Sequence, residues 1–143
     1  MKKMIAGLFT AVLMAAGLVG VSEGSASADC GAYSGCVDTR TTVHGPFEDV
    51  FRHNVARIRV RVHPIGSNVQ PLGNVQVIVR RVRDGAVYYR ETKAYEGGKL
   101  VFISPKLHKR GKYTVLARYK PRAGSVFNSS QGTDTFRVVS RPR

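Results

Sequence analysis

Three arginines occupy alternate positions of the segment Arg57-Ile58-Arg59-Val60-Arg61-Val62. A guanidinium group grips phosphate or carboxylate with a planar, two-pronged set of donors. On an extended chain these three project from one face, roughly 6.6–6.8 Å apart. Such a comb suits a polyanion with a repeating charge. It is equally what the solvated face of a β-strand looks like, where a row of like charges also discourages edge-to-edge pairing. Arg80, Arg118 and Lys120 lie on segments with the same alternation. The anion-binding candidates are therefore Arg57, Arg59, Arg61, Arg80, Arg118 and Lys120, with both readings open.

Other residue types offer less. Cys30 and Cys36 stand as C-x5-C in DCGAYSGC, and outside the reducing cytosol a disulfide is the natural expectation. Gly31 and Gly35 relieve so small a ring, whose entropic contribution is at most about 2.4 kcal/mol. The four histidines, His44, His53, His63 and His108, have no ligand spacing of the H-x-H or H-x3-H kind. A sandwich end could bring His44 to His53, or His63 to His108. A nucleophilic hydrolase needs a base beside its Ser or Cys, and no G-x-S-x-G is present. Glu48-Asp49 could flank a substrate or offset nearby arginines. The expectation is a non-enzyme with no metal and no cofactor. Specific nucleic-acid recognition is not expected either. No basic helix suits a groove, and the exposed aromatics predicted from the pattern are few: Tyr33, Tyr88 or Tyr89, and Phe127.

The elements that must position these residues follow a period of two, the mark of half-buried strands. Strands are predicted over 39–43, 55–63, 74–82, 87–93, 99–103, 112–120 and 133–139. Gly45-Pro46, Pro64, Asp84-Gly85, Gly97-Gly98, Pro105 and Gly111 punctuate them, and 47–54 reads as an irregular connection. About seven short strands without helices between them predict an all-β, antiparallel sandwich, with a small barrel as the alternative. The alternation assigns Ile58, Val60, Val62, Val75, Val77, Val79, Leu100, Phe102, Tyr113, Val115, Ala117, Tyr119, Phe136 and Val138 to the core.

The N-terminus reads as an export signal. Lys2 and Lys3 precede an uncharged apolar stretch, Met4 to Val21, and Ala26-Ser27-Ala28 supplies a small-x-small cleavage site. Cleavage after Ala28 is expected. Asp29 stands where a lipidation motif needs a small residue before Cys30. The predicted organisation is a signal peptide at 1–28, a short segment with the disulfide ring at 29–37, and one domain at 38–143. Charge is the strongest compositional feature, with 23 Lys+Arg against 9 Asp+Glu. Without Lys2, Lys3 and Glu23 the balance is 21 against 8, a net of +13. A field of that sign draws polyanions without choosing among them.

Four stretches carry a likeness to a known family. Leu107-His108-Lys109-Arg110-Gly111-Lys112-Tyr113-Thr114-Val115 resembles the L-x-x-x-G-x-Y-x-V that opens the sixth strand of bacterial immunoglobulin-like domains. Gly124-Ser125-Val126-Phe127-Asn128-Ser129-Ser130 resembles the segment before their last strand. TRTTVHGP at 39–46 and PLGNVQV at 71–77 fall in the matching order. The resemblance spans residues 38–139 and is to repeat domains of secreted and surface proteins, notably actinobacterial ones. It implies that Tyr113 is the tyrosine of a corner motif, bonding back to nearby backbone, and that the domain is a scaffold without a reaction. Apolar Ile58 and Val101 or Phe102 stand where some relatives carry a cross-core cysteine pair. Two functions are therefore expected. One is a secreted, non-catalytic module associating with an anionic envelope or extracellular polymer through its basic surface. The other is a secreted inhibitor or adhesion factor that binds an extracellular protein through its loops.

Overall fold

The computed structural model describes residues 35–142. The predicted signal peptide, Cys30 and Tyr33 lie outside them. Eight strands are present among the described residues: β1 (Thr39–His44), β2 (Val50–Phe51), β3 (Arg57–Pro64), β4 (Gly73–Arg81), β5 (Val87–Tyr95), β6 (Leu100–Ile103), β7 (Gly111–Pro121) and β8 (Ser130–Val139). They form a three-stranded sheet, β1-β3-β6, facing a five-stranded sheet, β2-β8-β7-β4-β5. All neighbours are antiparallel except β2 and β8, which run parallel.

The alternation that predicts strands also fills the space between the sheets. Ile58, Val60 and Val62 from β3 meet Val75, Val77, Val79, Val115 and Ala117, and all are buried. At about 1.5–3 kcal/mol for each large apolar side chain taken from water, this layer dominates the stability. Tyr113 stacks on Phe136, with ring centroids 5.4 Å apart, and Tyr95 meets Tyr119 edge-on at 6.2 Å. One residue of outward parity is also buried: Ile78, flanked in register by Arg90 and Leu116.

Three departures from the expected elements have local causes. The 47–54 segment is not wholly irregular, because Val50 and Phe51 pair with Val138 and Val139. After β1 the chain turns at Gly45-Pro46 and crosses to the other sheet. Asp134 Oδ2 accepts from the Gly45 N–H at 2.7 Å and fixes that crossing. The last strand begins at Ser130, three residues early, because Gly132 lets β1 and β8 approach closely. A Cβ there would lie 2.3 Å from the Thr41 carbonyl oxygen. Phe127, expected outside, is buried at 4 % exposure, where Val37 bridges to it.

Candidate functional site

Strand β3 resolves the arginine comb into its parts. Ile58, Val60 and Val62 face the core, so Arg57, Arg59 and Arg61 face outward from the three-stranded sheet. Register places His44 beside Arg59, Thr42 beside Arg61 and Arg40 beside His63. On the other flank Ile103 lies beside Arg57 and Val101 beside Arg59. Four arginines and two histidines thus share one sheet, and none of its three strands contains an acidic residue. Asp38 precedes β1 and accepts from Asn128 Nδ2 at 2.8 Å. Among the described residues, the ion pairs join Arg81 to Asp84 and Lys93 to Glu91; the second lies at the β6 edge of this sheet, where Lys93 Nζ donates to the Val101 carbonyl at 3.0 Å.

The crossing between β1 and β2 adds an aromatic ring to that face. Phe47 is 84 % exposed. The Arg59 guanidinium carbon lies 5.6 Å from its ring centroid, and the His44 ring lies nearly parallel to it, 6.5 Å away. Arg59 is consequently half-buried while Arg57 and Arg61 stay exposed. Phe47 also borders a depression of about 290 Å³ lined by Glu48, Asp49, Lys112, Thr135 and Arg137 among others. The two acids thus share the rim of this depression with cations of the other sheet, without an ion pair between them.

The remaining cations lie on the opposite side of the molecule. Arg80, Arg118 and Lys120 face outward from the five-stranded sheet, where register sets Arg80 beside Thr114, Arg118 beside Gln76 and Lys120 beside Asn74. The six cations chosen from sequence therefore divide three and three between opposite faces. They do not converge on one surface.

The histidines pair differently from either expected combination. His53 Nδ1 lies 2.8 Å from His108 Nδ1, and Arg52 approaches His53 Nε2 at 3.2 Å. His53 takes a left-handed backbone, φ 69°, and its N–H donates to the Leu107 carbonyl at 2.8 Å, tying the two loops. No group of three or more metal-ligating side chains occurs among the described residues.

Structural tyrosines account for the other perturbed groups. The Tyr113 hydroxyl donates to the Lys109 carbonyl at 2.7 Å, the backward bond that defines a tyrosine corner. Burial, with Tyr88 nearby, raises its pKa above the usual value. Burial and the neighbouring Tyr95 push Tyr119 up to about 12. Tyr89 is raised by burial and by its bond to Glu91. In the β4–β5 turn, hydrogen bonding from Arg81 draws Asp84 down to about 2. Cys36 is exposed and is not a free thiol; its expected partner, Cys30, lies outside the described residues.

Alternation alone locates the comb, but it gives no sign of Phe47. That residue sits in a non-periodic connection, and the only available signal is its place beside Gly45-Pro46. A turn there lifts the next side chain off the sheet edge.

Two facing sheets, a chain that crosses from one to the other between its first two strands, and a tyrosine corner define an immunoglobulin-like β-sandwich. No protein-family model matches the chain, and no curated protein matches it. Among solved structures it is similar to a CARDB domain from Pyrococcus furiosus, described as in complex with di-metal ions. The identity is 19 %, with 76 % of this chain and 99 % of that one covered and a TM-score of 0.47. A conjugative transposon lipoprotein from Bacteroides eggerthii matches at 12 % identity, covering 68 % of this chain and 95 % of its own, TM-score 0.41. Murine CRIg matches at 11 % identity, covering 71 % and 98 %, TM-score 0.41.

Proposed function

We propose that this protein is a secreted, non-catalytic immunoglobulin-like module that associates with an anionic polymer of the cell envelope or its surroundings. The observation that supports it best is the outer face of the three-stranded sheet, where Arg40, Arg57, Arg59 and Arg61 stand together without a carboxylate on their strands. Each uncompensated guanidinium adds to a field that concentrates anions, and its fork then holds phosphate or carboxylate. Export rests on the N-terminal pattern, with cleavage after Ala28. The finer family reading, an actinobacterial repeat-type domain, rests on the ordered motifs between residues 38 and 139.

The test is fractionation of producing cells. At low salt the protein should sediment with envelope material, and at high salt it should be released, because salt screens exposed charges. Failure to associate at low salt removes this reading.

A second reading draws on the loops. Ile65 (57 % exposed) and Val69 (61 %) on the β3–β4 loop, and Val126 (52 %) on the β7–β8 loop, are apolar groups held in solvent. A protein-binding effector would use such positions, together with the Cys30–Cys36 ring. Capture of one defined extracellular protein, unaffected by salt, favours this reading over the first.

A further inference from the structure

We infer that the polymer held by the arginine face is single-stranded nucleic acid, its phosphates gripped by Arg57, Arg59 and Arg61 and one base stacked on Phe47. This rests on the anion-binding reading above and names the chemistry of its partner.

A phenyl ring at 84 % exposure gains nothing from the protein's own core. It stands beside the comb, with the Arg59 guanidinium 5.6 Å from its centroid and the His44 ring nearly parallel to it. Those neighbours hold the ring in place, and its exposure leaves room for a flat partner. Stacking of a base on an aromatic side chain contributes about 1–3 kcal/mol and is open to every base, since each has a π-face.

The hydrogen-bonding character of the face selects further. Arginine only donates, and Arg40, Arg57, Arg59 and Arg61 outnumber the groups on this face that can accept, Thr42, His44 and His63. Phosphate oxygens need donors alone, whereas sugar hydroxyls need acceptors as well. No strand of this sheet carries a carboxylate, and the Thr42 hydroxyl already donates to the Arg61 carbonyl at 3.2 Å.

Apolar flanks separate nucleic acid from ring-free polyphosphates. Val101 and Ile103 lie in register beside Arg59 and Arg57, and Ile103 is 51 % exposed. Base faces can cover these side chains and Phe47, while a bare phosphodiester chain leaves them in water. Phosphate contacts carry no sequence information, so the binding is to single strands in general.

The test titrates the full chain against a labelled oligothymidylate of about 16 nucleotides, the upper site size of a single binding domain. Inorganic polyphosphate and polyglucuronate are measured in parallel at low salt. The oligonucleotide should bind most tightly at equal charge. Phe47→Ala should weaken it about fivefold or more, the equivalent of about 1 kcal/mol, and leave polyphosphate binding unchanged. Phe47→Leu, which keeps apolar bulk without the π-face, should fall between, and equal melting temperatures would show all three proteins folded. If Phe47→Ala binds the oligonucleotide within twofold of the parent, or if either other polymer binds as well, the inference is overturned while the anion-binding reading stands. If none of the three polymers binds at low salt, that reading fails with it.

Discussion

The hydroxyl of Tyr95, on β5 of the larger sheet, is bonded to the backbone of Val62, on β3 of the smaller one. It accepts from the Val62 N–H at 3.1 Å and lies within donating distance of the Val62 and Gly98 carbonyls, at 3.2 and 2.8 Å. The β3–β6 ladder ends with Val60 opposite Leu100, and the same register continued by two residues would set Val62 opposite Gly98. There the two backbones have parted, and the tyrosine hydroxyl fills the gap. A buried polar link thus joins the two sheets.

Tyr95→Phe keeps the ring and removes the bridge. It leaves the Val62 N–H without its partner, and an unsatisfied buried group costs about 1–3 kcal/mol. Chemical denaturation should show a loss of that size with an unchanged slope. Stability equal to the parent would mean that water replaces the hydroxyl.

Gly132 sets how closely β1 and β8 approach. Gly132→Ala places a methyl 2.3 Å from the Thr41 carbonyl oxygen, and neither partner is a movable side-chain tip. The seam, where Ser130 Oγ lies 2.7 Å from both Thr39 and Thr41 Oγ1, must open. Overpacking of this kind costs about 1–3 kcal/mol. Gly124→Ala meets open space, so only its φ of 75° opposes it, at about 1 kcal/mol, the low end for a left-handed L-residue. Thermal melts of the two variants should rank in that order.

The frame was legible because β-branched residues alternate with polar ones for long runs. Arg57 to Val62 and Lys112 to Lys120 each declare their faces, and every residue assigned to the core from alternation is buried except Leu100, half-buried at its margin; Val43, Val50, Ala56, Tyr95, Leu107 and Phe127 join it unassigned. What alternation cannot express is partnership. Arg59 and Arg118 look alike in sequence, yet they lie on opposite sides of the sandwich, because sheet membership depends on which strands pair. Val50-Phe51 is too short to show a period, and Phe47 has none. The His53–His108 contact depends on a left-handed residue and a loop pairing that no local pattern encodes.

High pH should unfold the protein through its tyrosines. Burial raises Tyr113 and takes Tyr119 to about 12, against an ordinary value of 10.0. The unfolded chain therefore loses these protons first, so stability is intact below pH about 10 and falls as pH climbs toward about 12. A phenolate absorbance titration should show some tyrosines ionising normally and others only with unfolding. A single uniform transition near the ordinary value contradicts this.

Acid should spare the β4–β5 turn. Arg81 holds Asp84 at about 2, below its usual 3.8. A depressed carboxyl contributes stability above its unfolded value, and that contribution is lost as pH falls through the folded one. Side-chain NMR of Asp84 should give a midpoint near 2, moving back toward the usual value in Arg81→Gln. An unmoved midpoint would show the ion pair to be open in solution.

The central claim, that anion binding belongs to one face and not to total charge, is tested most directly by two triple variants of equal charge. Arg57→Gln, Arg59→Gln and Arg61→Gln remove three cations from the smaller sheet; Arg80→Gln, Arg118→Gln and Lys120→Gln remove three from the larger. Binding to a labelled anionic polymer at low salt should fall at least tenfold further in the first protein than in the second. Equal losses in the two would contradict a localised site and leave only diffuse attraction.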